Sequence, residues 1–286
     1  MKMRVGTRGS ALALWQANEA ARLLTAAGYD PELVIVKTTG DKRQDVSLAT
    51  IGGKGLFIKE LEEALERGEI DVAVHSCKDV PSLIPWQFVL AGFLERADAR
   101  DAWVHPSNTS IAELPDGATV GTSAPRRRAQ LAALFPRLRV EDIRGNVDTR
   151  IQKAHEGQYA GVVLASAGLT RLGRASEITS YFDAAQMLPA AGQGIVAVEC
   201  LTSNAAAIEA AAKITHTASA HAAQQERGVL QKFGTQLDCY SAVAVHSSDG
   251  VLRAFMSRGE RSIRAEGATV DEVYGALLAQ GAEELV

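Results

Sequence analysis

Aromatic residues are scarce, only 5% of the chain, and there are just three cysteines. Cys77, Cys200 and Cys239 are odd in number and widely spaced, which fits neither a disulfide framework nor a Cys-x-x-Cys metal site. At least one thiol is therefore free, and no metal site is read. Neither sign of charge dominates: 30 Lys+Arg against 34 Asp+Glu leave a formal −4 over 286 residues. With 47% hydrophobic residues, such a chain is neither disordered nor a strongly basic polymer binder. The shortage of aromatics also leaves no base-stacking platform among the basic residues, so no nucleic-acid partner is expected. Long apolar runs are missing too. None approaches the ~20 residues that a membrane-crossing helix requires, and no membrane partner is expected. The opening stretch MKMRVGTRGSALALWQ is interrupted by Arg8, Gly9 and Ser10 and lacks a small-residue cleavage site, so no secretory signal is read and a cytoplasmic protein is expected.

What is present is an alternation of short β-rich runs with longer helical stretches, the order of βαβ units. Met3 to Gly6 and Leu33 to Lys37 read as strands around a helix from about Leu12 to Ala26. Gly55 to Arg67 reads as a helix, with Phe57, Leu61 and Leu65 one turn apart. Ile70 to Val74 is apolar enough for a strand buried on both faces. Arg96 to Gly117, with Pro106 and Pro115, reads as a loop-rich boundary. The pattern then restarts, with strands at Thr119 to Gly121, Val140 to Ile143 and Gly161 to Ala165 and helices after Ser123 and Asn146. LPAAGQG, Leu188 to Gly194, reads as a crossing back into a buried strand, Ile195 to Cys200. An alanine-rich helix from about Ala218, two or three alternating segments and a last helix from Asp271 make a small α+β unit. There is no internal sequence repeat.

In an open parallel sheet, ligands sit beyond the carboxyl ends of the strands, so the polar residues just after each strand are the candidates. These are Thr7, Arg8 and Ser10; His75, Ser76, Lys78 and Asp79; Thr122, Ser123, Arg126 and Arg127; Arg144, Asn146 and Arg150. The window from Arg126 to Arg150 holds seven arginines against Glu141, Asp142 and Asp148, a local 7 − 3 = +4 in a chain of net −4. An anionic ligand is implied, because a guanidinium stays charged and grips a carboxylate or phosphate through paired hydrogen bonds. Ser123 could cap the following helix, with Pro125 in its first turn. Arg128, Arg137 and Arg139 read instead as a solvated face. Lys54, in GGKG, lacks the length and the Ser/Thr of a phosphate loop; a lid carrying one cation and a plain turn both fit. Asp79, beside Lys78, could hold a proton or face a cationic intermediate. His75 reads as a satisfied core or loop histidine, Cys200 as core and Cys239 as an accessible thiol.

Taken together and in order, TRGSALALWQ, GGKGLFIKELE, HSCKDVPS, GTSAPRRRAQL, IRGNVDTR, ASAGLTRLG, PAAGQG with VEC, and ERGVLQKF leading to Cys239 resemble the porphobilinogen deaminase (hydroxymethylbilane synthase) family. The resemblance covers most of the chain. It implies an α/β fold of three domains: residues 1–95 with 193–214, residues 100–189, and a small α+β domain at 218–286. The first two would be periplasmic-binding-protein-like. It also implies a dipyrromethane cofactor tied to Cys239 by a thioether, onto which four porphobilinogen molecules condense with loss of ammonia before the linear tetrapyrrole is hydrolysed off. Each pyrrole ring brings an acetate and a propionate, which gives the arginine island its reason: without fixed cations these carboxylates would repel one another. Carried over residue by residue, Asp79 is the catalytic carboxylate. Arg8, Ser10, Lys54, Lys78, Thr122, Ser123, Arg126, Arg127, Arg144, Asn146, Arg150, Arg171 and Gln193 match cofactor- and substrate-binding positions. The chain departs from the family pattern where Leu237 and Asp238 precede Cys239 in place of two glycines, and Ala124 stands where a serine is usual. The resemblance further implies a monomer whose partner is small-molecule porphobilinogen. The rival reading is a two-lobed carboxylate-binding protein that kept the fold and lost the chemistry.

Overall fold

The structure is a computed structural model that describes residues 1–37, 58–237 and 242–286. Strands are numbered β1–β13 and helices α1–α8 along these residues. Lys54 and Cys239 lie outside them, as do the first residues of the helix expected from Gly55. The chain divides into two compact units, Met1–Ala97 with Gly194–Arg227 and Asp98–Gln193 with Gly228–Val286.

The first unit opens with β1 (Lys2–Thr7), α1 (Ala11–Ala26) and β2 (Asp30–Ile35), followed after the undescribed segment by α2 (Lys59–Glu66) and β3 (Val72–Ser76). β1 runs parallel to both β2 and β3, as right-handed βαβ crossovers dictate. The sheet order is β2-β1-β3-β10-β4, in which β10 (Val196–Leu201) returns from far along the chain and lies antiparallel between β3 and β4 (Phe88–Phe93). Both faces are covered. Val72, Val74, Val196 and Val198 pack under α1 and α6 (Ala205–Lys213), while Ala73 joins Leu61, Ala64 and Leu65 of α2 on the other side. This period of two on a strand buried from Val72 to His75 is why Val72–Val74 is apolar without a gap. Helix α7 (Thr217–Phe233) begins in this unit and continues into the second.

The second unit contains two sheets. The larger, in order β7-β6-β8-β5-β9, repeats the first unit's plan: β6 (Thr119–Gly121) is parallel to β7 (Arg139–Glu141) and β8 (Gly161–Ala165), and an antiparallel strand sits beside the third parallel one. That strand, β5 (Asp101–Val104), falls inside the stretch that the sequence marks as a loop-rich boundary. All four of its residues are buried, between β8 and β9 (Ser180–Tyr181). At four residues, headed by an aspartate and followed by a proline-containing loop, it is too short to show a period. Helices α3 (Pro125–Leu134), α4 (Val147–His155) and α5 (Ser166–Arg171) follow β6, β7 and β8. The smaller sheet is an antiparallel meander of β11 (Ala242–Ser248), β12 (Val251–Arg258) and β13 (Arg261–Gly267), packed on α8 (Val270–Ala279) and the end of α7 through Val229, Phe233, Val245, Leu252, Val273 and Leu277. Asp249 and Gly250, both with positive φ, join β11 to β12 as a two-residue turn whose twist matches the hairpin. The expected α/β architecture is thus present, with β4, β5, β9, α5 and α6 added to what the sequence reading anticipates. Among the described residues no helix is long and apolar enough to cross a membrane.

The backbone at Gly161 of β8 passes close to Trp103, a fully buried side chain whose indole N–H donates to the Thr109 carbonyl at 2.9 Å. A Cβ at Gly161 would lie 2.6 Å from the Val104 carbonyl oxygen and also strike the Trp103 ring. Gly161→Ala is therefore expected to destabilise by about 1–3 kcal/mol, as overpacking does. At Gly275, inside α8, an added Cβ meets nothing within 4 Å, so Gly275→Ala should stabilise by roughly 0.5–1 kcal/mol through helix propensity. Thermal melts of the two variants should move in opposite directions; a downward shift for both would show that the space around α8 is misjudged.

Candidate functional site

The carboxyl edge of the first sheet gathers four of the expected residues. Because β1 and β3 are parallel neighbours, with Gly6 opposite Ala73, the segments that follow them emerge side by side. After β1 come Arg8, half-buried, and Ser10, whose hydroxyl caps α1 by accepting from the Ala13 N–H at 3.3 Å. After β3 the chain makes one 3₁₀ turn, Cys77–Asp79, placing Lys78 half-buried and Asp79 exposed. Buried Gln16 of α1 donates to the Ser76 hydroxyl at 2.7 Å and ties the two segments together. Cys77 is fully buried, and burial pushes its thiol up to about 11, so it is not a nucleophile near neutral pH. His75 is buried with Nε2 3.0 Å from the Glu199 carboxylate of β10, which makes it a satisfied core histidine. On the α2 side of the same sheet, burial, with Glu199 close by, pushes the Glu62 carboxyl up to about 7.

The second unit's larger sheet assembles the arginines at the corresponding edge. Thr122 is buried just past β6, its hydroxyl accepting from the Ala124 N–H at 3.4 Å. The residue that caps α3 is Ala124, which contributes no side-chain bond, so half-buried Ser123 does not cap the helix and Pro125 takes its first position. Past β7, Arg144 is half-buried, Gly145 turns at φ +112°, and Asn146 caps α4 by accepting from the Thr149 N–H at 2.9 Å. The Gly145 Cα has no room for a side chain beside Thr149. Arg150 donates Nε to the Gly145 carbonyl at 2.8 Å, and Lys153 reaches the Arg144 carbonyl at 3.2 Å. Arg171 is half-buried at the end of α5. Arg128 pairs with Asp142 on the surface and Arg139 is exposed, in line with a solvated face.

Arg126 and Arg127 lie beneath this edge, 6% and 5% exposed. Both face Asp101, a completely buried carboxylate that sequence reading overlooks because it heads an unrecognised strand. Since β5 is antiparallel to β8, with Asp101 opposite Ala165, the start of β5 is brought to the carboxyl edge. Arg126 grips both Asp101 oxygens, Nη1 to Oδ2 at 2.6 Å and Nη2 to Oδ1 at 3.0 Å, and also donates to the Leu188 carbonyl and to Gln193 Oε1. Arg127 donates Nε and Nη2 to Oδ1 at 3.1 and 2.8 Å and Nη1 to the Val163 carbonyl. Fully buried Gln193 completes the network with Nε2 at 2.9 Å from Asp101 Oδ1. Burial alone would raise the Asp101 carboxyl; the two guanidinium groups outweigh it and hold the group well below the ordinary carboxylate range. Two guanidinium groups thus face one buried carboxylate.

Asp101→Asn would take the Asp101 charge away from both guanidinium groups, and breaking a buried pair in this way costs roughly 3–5 kcal/mol. The folded-state pKa of Asp101 lies below its unfolded value, so its stabilisation is complete above the unfolded carboxylate value of roughly 4 and is lost as pH falls through the lower folded value. Denaturant midpoints measured from pH 7 down to pH 3 should therefore fall less steeply for Asp101→Asn than for the wild-type chain. Equal slopes would show that this carboxylate carries none of the acid sensitivity.

The chain is similar in sequence to known proteins over most of its length. The sequence model described as "Porphobilinogen deaminase, dipyromethane cofactor binding domain" matches residues 3–209. The porphobilinogen deaminase of Syntrophomonas wolfei is 48% identical over 81% of this chain and 76% of its own length. That of Geobacter metallireducens is 43% identical over the whole chain and 94% of its own length. Among solved structures, the methionine-binding protein MetQ aligns with 74% of this chain and 89% of its own at 16% identity and a TM-score of 0.48. With an α/β sheet edge bearing Lys78-Asp79, a second bearing the arginine island, and sequence identity spanning the full chain, the protein belongs to the porphobilinogen deaminase family.

Proposed function

We propose that this chain condenses four porphobilinogen molecules head to tail and then releases the linear tetrapyrrole hydroxymethylbilane by hydrolysis. In each condensation a C–N bond breaks as ammonia leaves, a C–C bond forms to the next ring, and that ring gives up a proton. The observation that carries the reading is the pairing of chemistries at two sheet edges built on one plan: an exposed carboxylate, Asp79, after β3, and a cluster of cations after β6, β7 and β8.

The residues suit a dipyrromethane primer. Its acetate and propionate groups are the anions that Arg144, Arg150 and Arg171 can grip in bidentate fashion, with Ser123 and Asn146 beside them and the Arg126–Arg127–Asp101 network adding charge from below. Such a primer, joined by a thioether to Cys239, supplies a pyrrole carbon to which the first porphobilinogen is added. Arg8, Ser10 and Lys78 surround the segment that bears Asp79, which steadies positive charge on pyrrole nitrogens and assists the departure of ammonia. Electrostatic stabilisation of this kind is commonly the largest catalytic contribution. Lys54 would add a cation from the segment before α2. The three sheets support three domains, at 1–95 with 193–214, 100–189 and 218–286, in a cytoplasmic monomer that uses no metal. A carboxylate-binding protein without chemistry has no need of an acid at Asp79, and the family assignment does not favour it.

Purified protein incubated with porphobilinogen should release ammonia, and its intact mass should exceed that of the bare chain by the primer. Cys239→Ala should show the bare mass and no turnover. Asp79→Asn removes charge and not volume, so it should lower kcat by roughly 10²-fold or more with little change in unfolding midpoint. A bare wild-type mass, or near-normal turnover in either variant, would refute the corresponding assignment.

A further inference from the structure

Asp79 is exposed, and among the described residues none donates a hydrogen bond to its carboxylate. Its place is therefore set by the backbone of the turn that carries it. The turn is anchored on its inner side where the Cys77 N–H donates to the Ile195 carbonyl at 3.0 Å, and the Val80 N–H closes it onto the Cys77 carbonyl at 3.2 Å. Beyond that, Val80 is extended and the chain passes through Pro81 and Ser82 outside any sheet ladder. Pro81 has no N–H, and backbone carbonyls removed from water need donors.

One side chain supplies them. Arg227, only 6% exposed on α7, donates Nη1 to the Val80 carbonyl at 3.0 Å and Nη2 to the Pro81 and Ser82 carbonyls at 2.6 and 3.3 Å. Its helix is docked where it passes the end of β4. The neighbouring Glu226, fully buried, takes two bonds from Arg96, and the Arg96 N–H donates to Ser219 at 2.8 Å. At the start of the helix, the His216 N–H reaches the Phe93 carbonyl at 2.8 Å. The guanidinium thus extends from a fixed helix and fastens three successive carbonyls directly behind the acid. A planar fork can do this; an ammonium, a point donor on a flexible stem, cannot reproduce the same three directions.

We infer that Arg227 is a positioning residue for the reaction: it clamps the Val80–Pro81–Ser82 backbone so that the preceding turn presents the Asp79 carboxylate in one orientation. The inference rests on the proposed role of Asp79. A carboxylate displaced by about 1 Å loses on the order of 10²-fold in rate without losing substrate affinity to the same degree, so the expected signature is in kcat and not in KM.

The test uses the full-length, primer-loaded enzyme with Arg227→Lys and Arg227→Met. Porphobilinogen consumption should show kcat reduced about 10²-fold in Arg227→Met and less in Arg227→Lys, with KM within about threefold of wild type. Intact mass should confirm normal primer loading. In the Asp79→Asn background, Arg227→Met should add little further loss, because a clamp has nothing to position once the charge is gone; a purely structural role would multiply the two losses. If Arg227→Met does not fold, Arg227→Lys, which keeps the charge and most of the volume, carries the test. Amide exchange at Asp79 and Val80 should accelerate at least tenfold in Arg227→Lys while exchange in β3 is unchanged. A retained kcat, multiplicative losses, or unchanged exchange at these two amides would overturn the inference. Absence of ammonia release by the wild-type enzyme would instead overturn the functional reading, and the exchange measurement would still judge the clamp.

Discussion

A carboxylate removed from water must be met by fixed positive charge, and much of the second unit is organised to satisfy that demand at Asp101. At an effective dielectric near 20, one cation at about 4 Å returns on the order of 4 kcal/mol, while desolvating the carboxylate costs several kcal/mol. A single partner roughly breaks even. With two, joined by the Gln193 amide, the charged form wins, as the depressed pKa direction indicates. The same contacts connect the first turn of α3, the start of β5, the Val163 carbonyl of β8 and the chain at Leu188 and Gln193. One ionised group thereby fixes the relative placement of segments distant in sequence, at the edge where Arg144, Arg150 and Arg171 are also found.

The first unit shows the same plan with different chemistry. Its antiparallel strand, β10, also carries a buried acid, Glu199, but the partner that bonds it is His75, whose charge depends on protonation. Burial, with Glu199 adding to it, raises the Glu62 carboxyl to about 7. The two sheets therefore share topology without sharing electrostatics: one surrounds its buried acid with guanidinium groups that cannot lose their charge, and the other pairs its buried acid with a histidine. A positively charged edge for binding anions fits the first arrangement, and an edge that presents a free acid fits the second.

The sequence shows most clearly what rests on local period and on the edge rule. The runs at Thr119 to Gly121 and Gly161 to Ala165 are strands at those limits, and the buried β3 and β10 lie within a residue or two of their expected positions. Parallel pairing then brings Arg8, Ser10, Lys78 and Asp79 together, and Thr122 and Ser123 beside Arg144 and Asn146. What the sequence hides is long-range. Asp101 heads a four-residue strand whose burial comes wholly from its neighbours in the sheet, and α6 looks like a continuation of an alanine-rich stretch. Arg126 and Arg127 are visible as cations, yet nothing in RRRAQL says that two of its arginines point inward at an acid some 25 residues earlier. Arg227 is equally silent, since its partners are carbonyls, which every residue has.

That silence follows from how the two kinds of group are held. The cations beneath the second unit's edge are placed by side-chain bonds to a charged partner, so their positions depend on residue identity and can in principle be traced by complementary charge. Asp79 is placed by its backbone, through a 3₁₀ turn, the Ile195 carbonyl just before β10 and three carbonyls gathered by a guanidinium. Among the described residues no donor occupies the Asp79 carboxylate, and under the role proposed for it that leaves its lone pairs to pyrrole N–H donors, which a permanent protein partner would displace. An acid with that proposed role is better fixed from behind, where replacing a backbone-holding residue alters geometry and leaves the carboxylate itself intact.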